Sequence, residues 1–325
     1  MGIDVGATTI AGGLVTAAGD VLAVAKTPTH RNGPGTAVDT LLDVVDDLLR
    51  HAAERQLTLA GIGLGVPGPI DPEKGAMVKP PEYHPVPELA DHRLGEQILA
   101  RTGIPAFVDN DANALALGEW TFGLARGAAS LVLLAVGTNV GGGIIHDRRV
   151  VRGHSGFAGE LGHVPINFDG PLCFCGGKGC LGMYLGGAQM ALEAQRRVDR
   201  RRASTLLTLA GGDVTAINSQ IVFEAARGGD PVARVMVDEA CEALAASLGG
   251  IVNSLNPEVV VVTGGVAESL VPLERDILQR TRRYAYSPAF AGTRINISAT
   301  DKRRTMRGAA ALVLYELGRQ GRREP

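Results

Sequence analysis

The sequence predicts a two-lobed α/β protein, and three observations carry that prediction. Its 325 residues are more than one compact core comfortably holds. The chain opens on MGIDVGATTIAGGLVTAAGDVLAVAKT, an apolar strand, a glycine-threonine turn and two further strands, and SLVLLAVGTNVGGGIIHDRRVVRG repeats that pattern. Later, EVVVVTGGVAESLVP reads as a buried parallel strand, a glycine turn and a helix start. Each lobe is therefore expected to begin with the same hairpin.

The elements follow in order. Residues 36–54 have helical spacing, and LAGIGLGVPGPID returns to a strand that ends in a Gly-Pro loop. A helix is predicted over about 91–102, then PAFVDND as a buried strand ending on polar residues, then an Ala/Leu-rich helix from about 113. The last helix, about 303–320, has the apolar spacing of one that packs on a lobe.

Composition narrows the function. Hydrophobic residues at 45% against charged residues at 20% fit a globular chain. A net charge of -2 offers no general attraction to nucleic acid or an acidic membrane, so neither is expected as a partner. The basic runs RRVDRRR and DKRRTMR read as solvated helix faces. No apolar run of about 18 residues appears, and MGIDVG enters a strand with no secretory leader pattern before it. A cytoplasmic protein is expected, in which four cysteines serve as thiols or hold a metal.

Three glycine turns follow strands: Asp4 to Thr9, Gly137 to Gly143, and Thr263 to Ala267. Glycine lets backbone N–H groups approach a phosphate, and threonine adds a hydroxyl donor. Asp4 would repel phosphate but is suited to hold Mg²⁺ through water. No GxxxxGK[ST] pattern occurs, so an ordinary P-loop is excluded. Asp109, Asn110 and Asp111 stand where a strand meets a helix. One reading is a helix cap with acidic residues in the first turn. The other is a carboxylate that takes the proton of a hydroxyl attacking a γ-phosphate, with Asn110 bonding neighbouring hydroxyls. In GFAGELGHVPI, Glu160 and His163 are spaced to share one side of a turn and suit vicinal hydroxyls.

LCFCGGKGCLGMY packs Cys173, Cys175 and Cys180 between glycines, ten residues after His163. Three thiolates and an imidazole are a common structural zinc set. Four protein ligands leave no open position, so the ion is expected to be scaffold, with one ring nitrogen of His163 on the metal and the other facing substrate. Cys241 lies on a helical pattern and reads as core.

These motifs together resemble the ROK family of bacterial sugar kinases and sugar-responsive repressors, in the actin, hexokinase and heat-shock ATPase superfamily. The likeness runs in order through IDVGATTIAGGLV, DNDANALALGE, VGTNVGGGI, AGELGHVPI and CFCGGKGC, across nearly the whole chain. It implies two actin-like (ribonuclease H-like) lobes, 1–112 and 113–302, flanking a nucleotide and sugar cleft, with the final helix packed back on the first. It implies an ATP-dependent kinase acting on a primary hydroxyl of a hexose, glucose first, assembled as a homodimer or homotetramer. By matching positions Asp111 is the general base, and Asn110, Glu160, His163 and Gly68 meet the sugar. Asp4, Gly6, Thr8, Thr9, Gly137, Thr138, Gly264 and Gly265 serve ATP and Mg²⁺, and His163, Cys173, Cys175 and Cys180 hold zinc.

Two departures stand out. The family's CxCGxxGCxE ends on a sugar-binding glutamate, and here that position is Gly182; Gly186 stands where a small hydroxyl residue is common. A family Asn near APNLPGW is missing from VKPPEYHPVP, where Glu82, Tyr83 or His84 would have to replace it. A kinase for an amino or N-acyl sugar or another polyol is therefore an alternative. A sugar-binding regulator or degenerate kinase is another; family regulators carry a helix-turn-helix ahead of the first phosphate turn, and this sequence opens on that turn.

Overall fold

The opening hairpin forms in the computed structural model, which describes residues 1–78, 86–198, 204–299, 301 and 303–321. Strand β1 (Gly2–Val5) pairs antiparallel with β2 (Thr9–Val15), and β2 with β3 (Val21–Pro28). Strand β4 (Ile62–Val66) lies parallel to β1. A short hairpin of β5 (Ile70–Asp71) and β6 (Ala76–Met77) comes before β7 (Ala106–Asn110), which lies parallel to β4. The resulting order is β3-β2-β1-β4-β7. Register aligns Asp4 with Gly65 and Gly65 with Asp109, so the carboxyl ends of three parallel strands share one edge.

The second sheet repeats the plan. Strands β8 (Leu131–Val136), β9 (Val140–His146) and β10 (Arg149–Val150) follow one another, while β11 (Val259–Thr263) lies parallel to β8 and β12 (Arg294–Ile297) parallel to β11. Their order is β10-β9-β8-β11-β12. Every residue of β4 and β11 is buried, as expected of inner parallel strands rich in Val, Ile and Leu.

The described residues of 1–129, 143–159 and 301–325 form one compact unit, and those of 130–142 and 160–300 a second. In the first, the Ala37–Glu54 helix buries Leu41, Val44, Val45 and Leu48, the spacing of a single apolar stripe. The Asp111–Phe122 helix has eight consecutive buried residues, 112–119, which accounts for its Ala/Leu-rich character. The final helix, Arg304–Gln320, packs on β1, β4 and the Asp111–Phe122 helix, as the sequence predicts. Glycine makes this approach possible. A Cβ on Gly63 would lie 1.8 Å from the Ala309 carbonyl oxygen, and one on Gly308 would lie 2.6 Å from that of Ala114. In the second unit the Pro231–Leu255 helix starts at Asp230, whose carboxylate accepts from Val232 and Ala233 N–H, with proline in the first turn. Among the described residues no helix is long and apolar enough to cross a membrane.

Candidate active site

In the first unit, Asp4, the 6–9 turn, Gly68, Asn110 and Asp111 meet at the shared carboxyl edge of β1, β4 and β7. The first glycine turn is tight. Gly6 N–H donates to the Thr9 carbonyl at 3.0 Å, and a Cβ on Gly6 would sit 2.9 Å from that oxygen. Thr29, wholly buried, clamps the turn by donating its hydroxyl to the Gly6 carbonyl at 2.7 Å and its N–H to that of Thr8 at 3.1 Å. Thr8 stays exposed. Burial pushes the Asp4 carboxyl up to about 6, against a hydrogen bond from the Thr305 side chain that favours its charged form. A lone carboxylate desolvated in this way suits a divalent cation shared with phosphates and water.

Asn110 and Asp111 divide their tasks. The Asn110 side-chain oxygen caps the helix, accepting from Ala112 N–H at 2.9 Å and Asn113 N–H at 3.2 Å. Its amide nitrogen donates to the Gly68 carbonyl at 3.0 Å, tying the Gly-Pro loop to the strand end and leaving one N–H for a ligand. Asp111 is exposed at the first helical position and accepts from Ala112 N–H at 2.8 Å. Asp109 is 1% exposed and fully engaged: one oxygen accepts from Asn110 N–H and the Asn113 amide, the other from Arg152. Of the two aspartates, then, Asp111 is exposed and Asp109 is buried among its partners. Sequence reasoning missed Thr29 and Arg152, since neither sits in a motif. Glu82, Tyr83 and His84 lie outside the described residues, as does 199–203 of the basic run.

In the second unit, the parallel pairing of β8 and β11 sets Thr263 beside Ala135, and so brings the 137–139 and 264–265 turns together. Gly264 has φ +114°, and a Cβ there would lie 2.4 Å from the Val136 carbonyl oxygen. Only glycine permits both conformation and contact. Thr138 and Gly265 are exposed. Glu160 and His163 bracket a single helical turn, His163 N–H donating to the Glu160 carbonyl at 3.0 Å. That turn presses on β9, where a Cβ on Gly162 would lie 2.0 Å from the Val140 carbonyl oxygen.

The four proposed metal ligands converge, their ligand atoms all within 4.8 Å of one another. Cys173 Sγ lies 3.5 Å from His163 Nδ1, and Cys175 Sγ lies 3.7 Å from Cys180 Sγ. A zinc tetrahedron with bonds of about 2.3 Å has S···S edges of about 3.8 Å. The donor set and spacing fit zinc, with His163 Nδ1 on the side of the thiols. Phe174 packs edge-on against the imidazole, ring centroids 5.2 Å apart. The loop is also fastened to the second glycine turn. Leu181 N–H donates to the Val164 carbonyl, and after one short helix Gly187 and Ala188 N–H donate to the carbonyls of Gly137 and Thr138 at 2.9 and 3.0 Å.

The model of the ROK family matches residues 1–316, a span that contains both glycine-turn clusters, the exposed aspartate on a helix start and the Cys₃His cluster. The chain belongs to the ROK family. Glucokinase of Thermotoga maritima is 32% identical over 98% of this chain and 98% of its own length. A ROK family glucokinase from Streptomyces griseus, solved in complex with glucose and AMPPNP, is 30% identical with a TM-score of 0.76, covering 98% of this chain and 99% of that one. The expected actin-like α/β class is borne out by that likeness. A xylose repressor from Caldicellulosiruptor bescii is 30% identical over 85% of this chain and 68% of its own length. In this ROK protein Gly182 opens the short Gly182–Leu185 helix. A Cβ there would stand 3.2 Å from the Gly162 carbonyl oxygen, inside the Glu160–His163 turn.

Proposed function

We propose that this ROK protein is an ATP-dependent sugar kinase that phosphorylates a primary hydroxyl of a hexose, glucose first, with Asp111 as general base. The glucokinase relatives support the kinase class. The observation that carries the mechanism is the contrast within DND: Asp109 is buried and saturated, while Asp111 stands exposed at a helix N-terminus.

The steps follow from these side chains. Asn110, through its remaining amide N–H, and Glu160 and His163 Nε2 bind and orient sugar hydroxyls. Asp111 accepts the proton of the attacking hydroxyl as its oxygen bonds to the γ-phosphorus and the bond to the bridging oxygen of ADP breaks. The N–H groups and hydroxyls of Thr8, Thr9, Thr138, Gly264 and Gly265 hold the phosphates and receive the charge that develops on them, on turns that Gly6 and Gly137 close through their own N–H bonds to the carbonyls of Thr9 and Asn139. Asp4 would hold Mg²⁺, which would supply charge neutralisation at the phosphates when bound. His163, Cys173, Cys175 and Cys180 would hold zinc, which would serve as scaffold and fix the orientation of the imidazole. The family resemblance supports a cytoplasmic homodimer or homotetramer, and sedimentation measures its size.

ADP release measured over glucose, mannose, fructose, allose, glucosamine, N-acetylglucosamine, N-acetylmannosamine and inositol tests this reading. Sugar-dependent ADP release, strongest with glucose, is expected; strongest release with an amino or N-acyl sugar moves the substrate and keeps the mechanism. The xylose repressor relative and Gly182 favour a second reading, a sugar-binding regulator without catalysis. Sugar binding without ADP release across the panel would establish it.

A further inference from the structure

We infer that Arg152 is a positioning residue for the catalytic turn, acting through Asp109; the inference rests on Asp111 as the base. Arg152 follows β10 in the segment VVRGHSG and lies in no motif. Its side chain is 13% exposed, and Nε donates to Asp109 Oδ2 at 2.9 Å while Nη2 stands 2.7 Å from the same oxygen. Nη2 also donates to Glu316 Oε1 at 2.7 Å. The guanidinium lies 5.8 Å from the centre of the Tyr315 ring, and the Tyr315 hydroxyl accepts from Val150 N–H at 3.0 Å. Two carboxylates and a ring therefore fix the plane of Arg152, and that plane fixes Asp109.

Asp109 passes this order to the residues on either side of Asp111. Its Oδ1 accepts from Asn110 N–H at 2.8 Å, immediately before Asp111, and from the Asn113 side chain at 3.0 Å, two residues after it. Asn110 in turn supplies the cap of the helix that carries Asp111 and the bond to Gly68. Without Arg152, Asp109 would be a buried charge lacking its counter-ion, free to turn away or to take a proton. The N–H of Asn110 would then lose a charged acceptor, and the base would lose its fixed aim. Displacement of a catalytic group by about 1 Å costs on the order of 100-fold in rate.

The test compares the full-length wild type with Arg152→Ala and Arg152→Lys in sugar-dependent ADP release, melting temperature, and hydrogen exchange at the Asn110, Ala112 and Asn113 amides. Arg152→Ala is expected to lower kcat about 100-fold while the KM for ATP stays within about threefold. Added guanidinium should restore part of that rate, because Arg152 lines an open groove of about 1090 Å³. Arg152→Lys keeps the charge and the fold, and should fall between the two with faster exchange confined to 110–113. Wild-type kcat in both variants would overturn the inference. So would a loss that guanidinium does not rescue and that only tracks the melting temperature. If the wild type releases no ADP with any sugar, the kinase reading fails, and exchange at 110–113 in Arg152→Lys still decides whether Arg152 orders the turn.

Discussion

Two aspartates two residues apart in DND carry the same chemistry and meet different fates. Burial separates them: Asp109 gives all its accepting capacity to Asn110, Asn113 and Arg152, while Asp111 is left facing solvent. The sequence placed both at a strand-helix junction, yet the choice between them depends on Arg152, 43 residues away. Gly182 raises the question of specificity at the same scale. A Gly182→Glu side chain would start 3.2 Å from the Gly162 carbonyl, a fit that needs that loop to shift by a few tenths of an ångström. The variant should change the ratio of kcat/KM between glucose and N-acetylglucosamine by about tenfold, because a carboxylate bonded to a hydroxyl differs from one facing an acetamido group by about 1 to 3 kcal/mol. An unmoved ratio makes position 182 neutral. Cys241 is buried in the core and lies outside the Cys₃His cluster. Burial pushes its thiol up to about 12, so at pH 8 it is protonated in the folded chain. Iodoacetamide should spare Cys241 until the protein unfolds, as peptide mass mapping will show.

At the scale of elements, the zinc loop and the final helix each hold something remote from themselves. The loop is bonded through the Gly182–Leu185 helix to the carbonyls of Gly137 and Thr138. Metal analysis should find one zinc per chain, and Cys175→Ser or chelation should remove it, lower the melting temperature and raise the KM for ATP more than that for sugar. Unchanged ATP binding in the zinc-free protein would mean that the turn stands alone. The final helix was legible as an element from its apolar spacing, but its closeness to the sheet was not. That closeness rests on Gly2 meeting Ala310 and Gly63 meeting Ala309, contacts between residues far apart in the chain. Gly63→Ala puts a methyl 1.8 Å from a carbonyl oxygen and should cost about 3 kcal/mol in urea unfolding. A loss below about 0.5 kcal/mol, the scale of an ordinary surface change, would show that the helix slides freely.

For the whole molecule, repetition made the architecture legible. Two glycine-turn hairpins foretold two sheets, and both sheets form with the expected turns at the carboxyl ends of parallel strands. Less legible was the partition of the chain: residues 143–159 include the later part of the second hairpin but group with the first unit, where Arg152 meets Asp109 and Glu316. That pairing joins three distant segments and has no local periodicity to announce it. The convergence of His163, Cys173, Cys175 and Cys180 was legible, because cysteine and glycine spacing encodes a closed loop without help from distant elements. The most direct measurement is therefore made on Asp111→Asn, with ADP release under saturating ATP and glucose set beside calorimetric glucose binding. Turnover should fall by about 1000-fold or more while glucose binds as in the wild type. Turnover that survives this substitution would contradict Asp111 as the base.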